Sequence, residues 1–259
     1  MLNDRHKDLA HQRRDNIREL IRGKGVSRIE EICRQLQVSP ATVRRDLDQL
    51  EKAGTLRRVH GGAVSVESRL EEPLFDDKAS LAAREKQRIA EAALQFIASG
   101  DTIYLDGGST VLEFARLLHD RTSLTVVTNS LRAAQELAGR GPRLILIGGE
   151  LRRLSQTMVG PLTRCILSEL HLDKAFMGTI GLALKEGLTT TDPSEAYTKE
   201  LVASRARQVI LLADSGKAGK VAFARAGGLE HVHAIVTDKS LDKTFTKELA
   251  KKGIKLVRV

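Results

Sequence analysis

Residues 39–54 read SPATVRRDLDQLEKAG, and this stretch decides the N-terminal fold. Ser39 is a good helix cap, and Pro40 suits the first helical position, where its missing N–H costs nothing. Val43, Leu47 and Leu50 recur at helical spacing and mark an inward face. Gly54 stops the helix. The outward face carries Ala41, Thr42, Arg44, Arg45, Asp48 and Gln49. Asp46 cannot face a phosphate cheaply and is expected to orient a neighbouring arginine.

The flanks fit the same unit. Upstream, Ile29, Ile32, Cys33 and Leu36 form the buried stripe of a second helix, and Ser27 with Glu30 three residues later reads as its capping box. Ile17, Leu20 and Ile21 mark an earlier helix that ends at Gly23 and Gly25. Downstream, TLRRVHGGAVSV (55–66) reads as a hairpin turning at Gly61-Gly62, with Arg57, Arg58 and His60 as a wing against phosphates or the minor groove. Two helices joined by a tight turn present the second to a major groove. Its first turn, Ser39, Pro40 and Thr42, then meets base edges, with Gln49 further along the same face. Arg44 and Arg45 are long enough to reach guanine O6/N7 or a phosphate.

Charge agrees with a polyanion partner. The 259 residues carry a net charge of +9. Residues 1–66 hold 14 basic against 9 acidic side chains, a net +5; residues 67–259 hold 28 against 24, a net +4 over about three times the length. A cationic excess concentrated in a small N-terminal unit points to nucleic acid. Aromatics are only 3% and Trp is absent, which disfavours a single-strand binder built on base stacking. No apolar run approaches the ~20 residues of a membrane helix, and the charged N-terminus has no secretory signal. Cys33 and Cys165 are too few and too far apart for a disulfide framework or a zinc site; both read as core, and a reducing cytoplasm is the expected compartment. The seven histidines are scattered. The HVH at 231–233, read as a strand placing both rings on one face, lacks a third ligand, so no metal is expected.

Residues 65–80 have no clean periodicity and are locally acidic, with Pro73 favouring extended backbone. A linker over 67–80 is expected there. From Leu81 onward, apolar β-branched runs alternate with helical patterns: TIYLD, LTVVTN, RLILIGG, KAFMG, VILLAD, AIVTD and IKLVRV. Continuous apolar runs of this length predict a mostly parallel sheet covered by helices on both faces. Polar turns follow five of them: Asp106-Gly107-Gly108-Ser109-Thr110, Thr128-Asn129-Ser130, Gly148-Gly149-Glu150, Gly178-Thr179-Ile180-Gly181 and Asp214-Ser215-Gly216-Lys217. Parallel sheets bind ligands at the carboxyl ends of their strands, so the five turns are expected to converge on one crevice. Helix starts at Ser109/Thr110 and Asn129/Ser130 offer free N–H groups to an anion, and Lys217 adds a point charge. Neither GxxxxGK[ST] nor GxGxxG occurs in these turns, so no nucleotide cofactor is implied.

The run SPATVRRDLDQLEKAG with the wing RRVHGGA resembles the helix-turn-helix signature of the DeoR family of bacterial transcriptional regulators. The pieces EKQRIAEAAL, DTIYLDGGSTVLEFARLL, LTVVTNS, LILIGGELRR, DKAFMGTIGL, GLTTTDPSEAYTKE and VILLADSGKAGK resemble the sensor domain of the same family. The resemblance implies a winged helix-turn-helix domain over 1–66. It also implies an α/β sensor domain over 81–259, similar in fold to ribose-5-phosphate isomerase. It further implies a phosphorylated sugar or polyol effector, double-stranded operator DNA as partner, and a homo-oligomer, dimer or tetramer. Carried over by position, Gly108, Ser109 and Thr110 hold phosphate, while Asp106, Asn129, Glu195, Lys199, Asp214 and Lys217 read hydroxyls or phosphate. The expected function is repression of a sugar or polyol operon, relieved by the effector. The alternative is a sugar-phosphate isomerase, which needs a carboxylate base and a lysine for the developing oxyanion. Asp106, Asp192, Glu195, Asp214 and Lys217 offer those residue types, but a fused basic helix-turn-helix has no use in catalysis, so no catalytic residue is expected.

Overall fold

The computed structural model describes residues 12–21, 26–53, 55–59, 62–65, 75–139 and 141–259. Two compact units divide the chain, Met1–Glu71 and Glu72–Val259. The expected helix and turn signals at Gly23, Gly25, Gly54 and Gly61, together with His60 and Pro73, lie outside the described residues.

Unit 1 holds helix α1 (residues 12–21), strand β1 (Val26–Arg28), α2 (Ile29–Leu36), α3 (Pro40–Lys52), β2 (Leu56–Val59) and β3 (Gly62–Ser65). Ser39 caps α3 by accepting the Thr42 N–H at 3.2 Å, and Pro40 opens the helix. Ile17, Ile21, Ile32, Val43 and Leu47 are all 1% exposed or less and form one core. Each such side chain contributes roughly 1.5–3 kcal/mol by leaving water. β2 and β3 form the expected hairpin, with Val59 paired to Gly62. The other edge of β3 takes β1, with Val26 paired to Val64. This corrects the reading of Ser27 as a cap: it lies in β1, fully buried, and α2 starts at Ile29. Its hydroxyl has no partner among the described residues.

Unit 2 opens with α4 (Phe75–Ser80) and α5 (Ala83–Ala93). The region taken as linker therefore contains a helix that belongs to the second unit. A seven-stranded sheet follows, built from β4 (Thr102–Leu105), β5 (Thr125–Thr128), β6 (Arg143–Leu146), β9 (Leu172–Met177), β12 (Ala206–Leu212), β14 (Ala234–Thr237) and β15 (Lys255–Arg258). All its pairings are parallel, in the order β15-β14-β12-β9-β4-β5-β6. Alternate residues of each strand go to opposite faces. Ile103, Leu105, Val126, Phe176, Ile210, Leu212 and Val236 join one core with α5, α6 (Ser109–Arg116) and α7 (Leu131–Leu137). Tyr104, Val127, Ala175, Met177 and Val209 join another on the far side with Val202 of α9 (Pro193–Arg205). Burial on both faces explains the unbroken apolar runs.

Smaller elements complete the unit. β7 (Glu150–Arg152) and β8 (Thr157–Val159) make an antiparallel hairpin. β10 (Gly181–Ala183), β11 (Gly187–Thr190) and β13 (Ala224–Arg225) make a small antiparallel sheet. The expected helix near 160–170 is a 3-10 turn followed by the short α8 (Arg164–Leu167), and Cys165 on it is exposed rather than core. His231 ends a 3-10 turn and His233 precedes β14, so the two do not share a strand face; the His233 Nδ1 accepts the Val209 N–H at 3.1 Å. α10 (Lys243–Lys251) packs before β15. Among the described residues no helix is long and apolar enough to cross a membrane.

Candidate functional site

The chain runs from β4 through β5 to β6 on one side of the sheet, then returns to β9 on the other side of β4. Strand order reverses between β4 and β9, and such a switch point leaves a crevice beyond the carboxyl ends of the strands. A cleft lies there, with about 560 Å³ of atom-free space including its open mouth.

Three of the five predicted turns reach it. From the turn after β4 come Gly107, Gly108, Ser109 and Thr110; from the turn after β9, Gly178 with Thr179 and Ile180; from the turn after β12, Lys217. Gly108 has φ +129°, a backbone conformation closed to L side chains, and it sits immediately before α6. The first amides of that helix have no partner within the helix. Glu195 and Lys199 of α9 also line the cleft.

The other two turns do not line it. The β7–β8 hairpin stands on the turn after β5: Met158 N–H donates to the Asn129 carbonyl at 2.8 Å, and Asn129 Nδ2 donates to the Met158 carbonyl at 2.9 Å. Thr128 donates its hydroxyl to the Leu105 carbonyl, and Ser130 caps α7 through the Ala133 N–H. In place of this turn, the hairpin brings Ser155 and Thr157 to the cleft, their hydroxyls 2.7 Å apart. Gly148 and Gly149 lie beyond the edge strand β6, and a Cβ on Gly149 would meet Thr163 at 2.9 Å, so that glycine serves packing.

Asp106 and Asp214 act one step behind the lining. Asp106 accepts from the Gly178 N–H at 3.0 Å and from the Lys199 ammonium, both side chains being almost fully buried. Lys199 also donates to the Gly178 carbonyl at 3.1 Å and lies 3.5 Å from Glu195. Glu195 continues to Arg152 of β7 at 3.2 Å, and Arg152 to Asp192 at 3.5 Å. Burial opposes the charge on Lys199, but Asp106 and Glu195 outweigh it and hold its pKa above the ordinary value. Asp214 accepts the Gly216 N–H at 3.0 Å and so shapes the 3-10 turn Ser215–Lys217. Asp238 fastens the same turn through the Ser215 amide and hydroxyl.

Two lysines of the cleft were not anticipated. Lys78 of α4 and Lys86 of α5 line it, and both are buried. The Lys86 ammonium donates to the carbonyls of Lys78 and Leu81. Burial pushes its pKa below the ordinary lysine value, Lys217 and Lys78 push the same way, and Asp214 and Glu113 oppose them. A lysine in a helical pattern normally reads as solvated, so sequence alone held no signal for either residue. The lining carries four lysines (Lys78, Lys86, Lys199, Lys217) against one carboxylate, Glu195. Such a cleft favours an anion, with Ser109, Thr110, Ser155 and Thr157 as hydroxyl partners. Among the described residues no group of three or more His, Cys, Asp or Glu is placed to hold a metal.

In unit 1, Ser39, Pro40, Arg44, Arg45 and Gln49 are exposed and Thr42 is half-buried. The Thr42 hydroxyl lies 3.0 Å from that of Ser39. Gln49 accepts from Arg14 of α1. Arg58 pairs with Asp48, and its backbone N–H donates to Glu51 at 2.7 Å, which fastens the hairpin to α3. Arg57 lies in β2. Asp46 points inward to Arg13 of α1 rather than to an arginine beside it on α3.

Residues 13–69 match the DeoR-like helix-turn-helix domain, and residues 81–239 match the DeoR C terminal sensor domain. The chain is 35% identical to the HTH-type transcriptional regulator GlpR of Haloferax volcanii, over 96% of this chain and 98% of that one. It is 36% identical to the lactose phosphotransferase system repressor of Streptococcus mutans, over 91% and 95%. It is 33% identical to the HTH-type transcriptional regulator IolR of Bacillus subtilis, over 88% and 91%. Among solved structures, a D-ribose-5-phosphate isomerase in complex with phospho-erythronic acid aligns at TM-score 0.40 and 19% identity, over 52% of this chain and 54% of that one. That superposition is too loose to carry an activity across. With both of its units matched and full-length relatives above 30% identity, the chain belongs to the DeoR family of transcriptional regulators.

Proposed function

We propose that the protein represses a sugar or polyol operon and leaves its operator when a phosphorylated sugar or polyol binds the cleft of unit 2. The observation that carries this reading is the convergence of Lys78, Lys86, Lys217 and the start of α6 in one cleft. The phosphate takes the amides at Ser109 and Thr110 and the three ammonium groups; Ser155, Thr157 and Glu195 take hydroxyls. In unit 1, the first turn of α3 from Ser39 to Thr42 faces base edges, and Arg44, Arg45, Gln49, Arg57, Arg58 and His60 contact bases or phosphates. One such unit buries too little surface for a specific site, so a homo-oligomer is the DNA-binding form. Moving the operator from about 99% to about 1% occupied needs roughly 5.5 kcal/mol of differential effector binding, which several cleft sites in an oligomer can share.

The carboxylates support binding over isomerisation. Asp106 is engaged by Lys199 and Gly178, and Glu195 lies between Lys199 and Arg152; neither is a free base. Incubation with ribose 5-phosphate should yield no ribulose 5-phosphate.

The direct test is thermal unfolding against a panel of sugar phosphates, each beside its unphosphorylated sugar. A specific phosphate ester raises the melting temperature by mass action, and its parent sugar does not. Lys217→Ala should weaken that ester by about tenfold or more, the loss of one charge-assisted contact of ~1.5–3 kcal/mol. Equal shifts from ester and sugar, or an unaltered Lys217→Ala response, would reject the assignment.

A further inference from the structure

We propose that Lys78 grips the bound anion and so makes helix α4 the element through which occupancy of the cleft reaches the chain leading to unit 1. This rests on the anion-binding reading above and adds the route by which it acts. Unit 1 ends at Glu71, and α4 begins at Phe75. A six-residue helix is not stable on its own, so its order comes from its anchors, and those at its carboxyl end, Lys86 and Ser109, line the cleft. Lys86 of α5 donates its ammonium to the carbonyls of Lys78 and Leu81, fastening the carboxyl end of α4. Ser109, the first residue of α6, donates to the same Lys78 carbonyl at 3.5 Å. At the other end, Phe75 is buried beneath the Arg132 guanidinium at 4.3 Å, and Arg132 is held by Gln156 at the tip of the β7–β8 hairpin.

The backbone of Lys78 is thus tied to two walls of the cleft while its side chain lines the cleft itself. Lys78 and Lys217 both act as like charges on the buried Lys86. A phosphate among them replaces that repulsion with attraction, and the attraction on Lys78 acts directly on α4. The other two lysines sit on α5 and on the turn after β12, which the parallel sheet already fixes. Lys78 alone belongs to an element whose order depends on the site.

Hydrogen–deuterium exchange of the full chain tests this, with inorganic phosphate as probe and chloride matching the ionic strength. In the wild type, phosphate should slow exchange both in the first turn of α6 and in residues 75–81, the latter by about tenfold, equivalent to ~1.4 kcal/mol. Lys78→Ala should bind phosphate more weakly, so it is compared at phosphate raised until the α6 protection equals the wild type; there the α4 protection should be absent, and Lys78→Arg should restore it. The surviving α6 response reports that the variant is folded and still binds the anion. Protection of α4 in Lys78→Ala equal to the wild type overturns the proposal. So does a wild type in which α6 responds and α4 does not. If α6 itself shows no response in the wild type, the anion site fails and this route fails with it.

Discussion

Asp46 of α3 accepts two hydrogen bonds from the Arg13 guanidinium of α1, at 2.6 and 3.2 Å. Asp46 is 3% exposed, so the pair ties α1 to α3 from within the unit rather than from its surface. Asparagine keeps one acceptor oxygen but removes the charge and sets an NH2 donor against the partly buried Arg13 guanidinium where the second oxygen stood. Asp46→Asn should cost about 1–3 kcal/mol. In a unit of this size that corresponds to a fall in melting temperature of several degrees, about 4–8 °C per kcal/mol. Circular dichroism melts check it; an unchanged midpoint would show the pair to be without consequence.

Arg45 is exposed on α3 and its replacement tests the DNA face. Arg45→Ala should weaken operator binding and reduce the slope of log affinity against log salt by about 0.9, the share of one phosphate contact. Effector-induced thermal shifts should stay as in the wild type. Titrations at several salt concentrations decide it, and a slope identical to the wild type takes Arg45 off the phosphate backbone.

Lys86 sets a pH dependence. Its pKa lies below the ordinary lysine value because of burial and because Lys217 and Lys78 are cationic, with Asp214 and Glu113 opposing. A lowered folded pKa means that the ammonium is lost on the alkaline side earlier than in a free lysine. Only the protonated form attracts an anion. Affinity for inorganic phosphate should therefore be full below the folded pKa of Lys86 and fall as pH rises through it, before an ordinary lysine would titrate. Binding should be accompanied by proton uptake near that pKa. Calorimetry in buffers of different ionisation enthalpy reads the uptake, and Lys86→Arg, which stays charged, should abolish the alkaline fall. A flat affinity across the alkaline range would remove Lys86 from the anion's shell.

Gly107 and Thr157 are in direct apposition: a Cβ on Gly107 would lie 2.2 Å from Thr157 Cγ2. Gly107→Ala should cost about 1–3 kcal/mol by overpacking and push the β7–β8 hairpin away from the cleft. Thr157→Ser removes the obstructing methyl and keeps the hydroxyl that meets Ser155. The double variant should recover most of the lost stability and effector affinity. A double variant no better than Gly107→Ala would mean that the contact does not set the hairpin's position.

Much of this architecture was legible because the signals were local. Ser39-Pro40 with the 43/47/50 stripe specified α3, and the sheet strands announced themselves as apolar runs covered on both faces. Ser27 misled because S-x-x-E is a genuine cap signature, yet pairing of Val26–Arg28 with β3 overrode it; that pairing joins segments 36 residues apart, Ser27 to Ala63. The short strands β7, β8, β10, β11 and β13 have two to four residues each, too few for a period to show. In the cleft, the Gly/Ser turns after β4 and β9 stood out because their backbone demands are written in residue type. Lys78, Lys86 and Arg152 did not, since the burial of a cation is a property of tertiary packing. The hairpin that covers the turn after β5 was hidden for the same reason.

The β7–β8 hairpin carries its two hydroxyls on a segment that contributes none of the four cleft lysines. On the proposed reading, the hairpin's part in discriminating a ligand's hydroxyls is written in a stretch of chain apart from the lysines that hold its charged end. Under that reading, exchange of residues 153–157 alters which hydroxyls are recognised while the lysines that hold the charge stay in place.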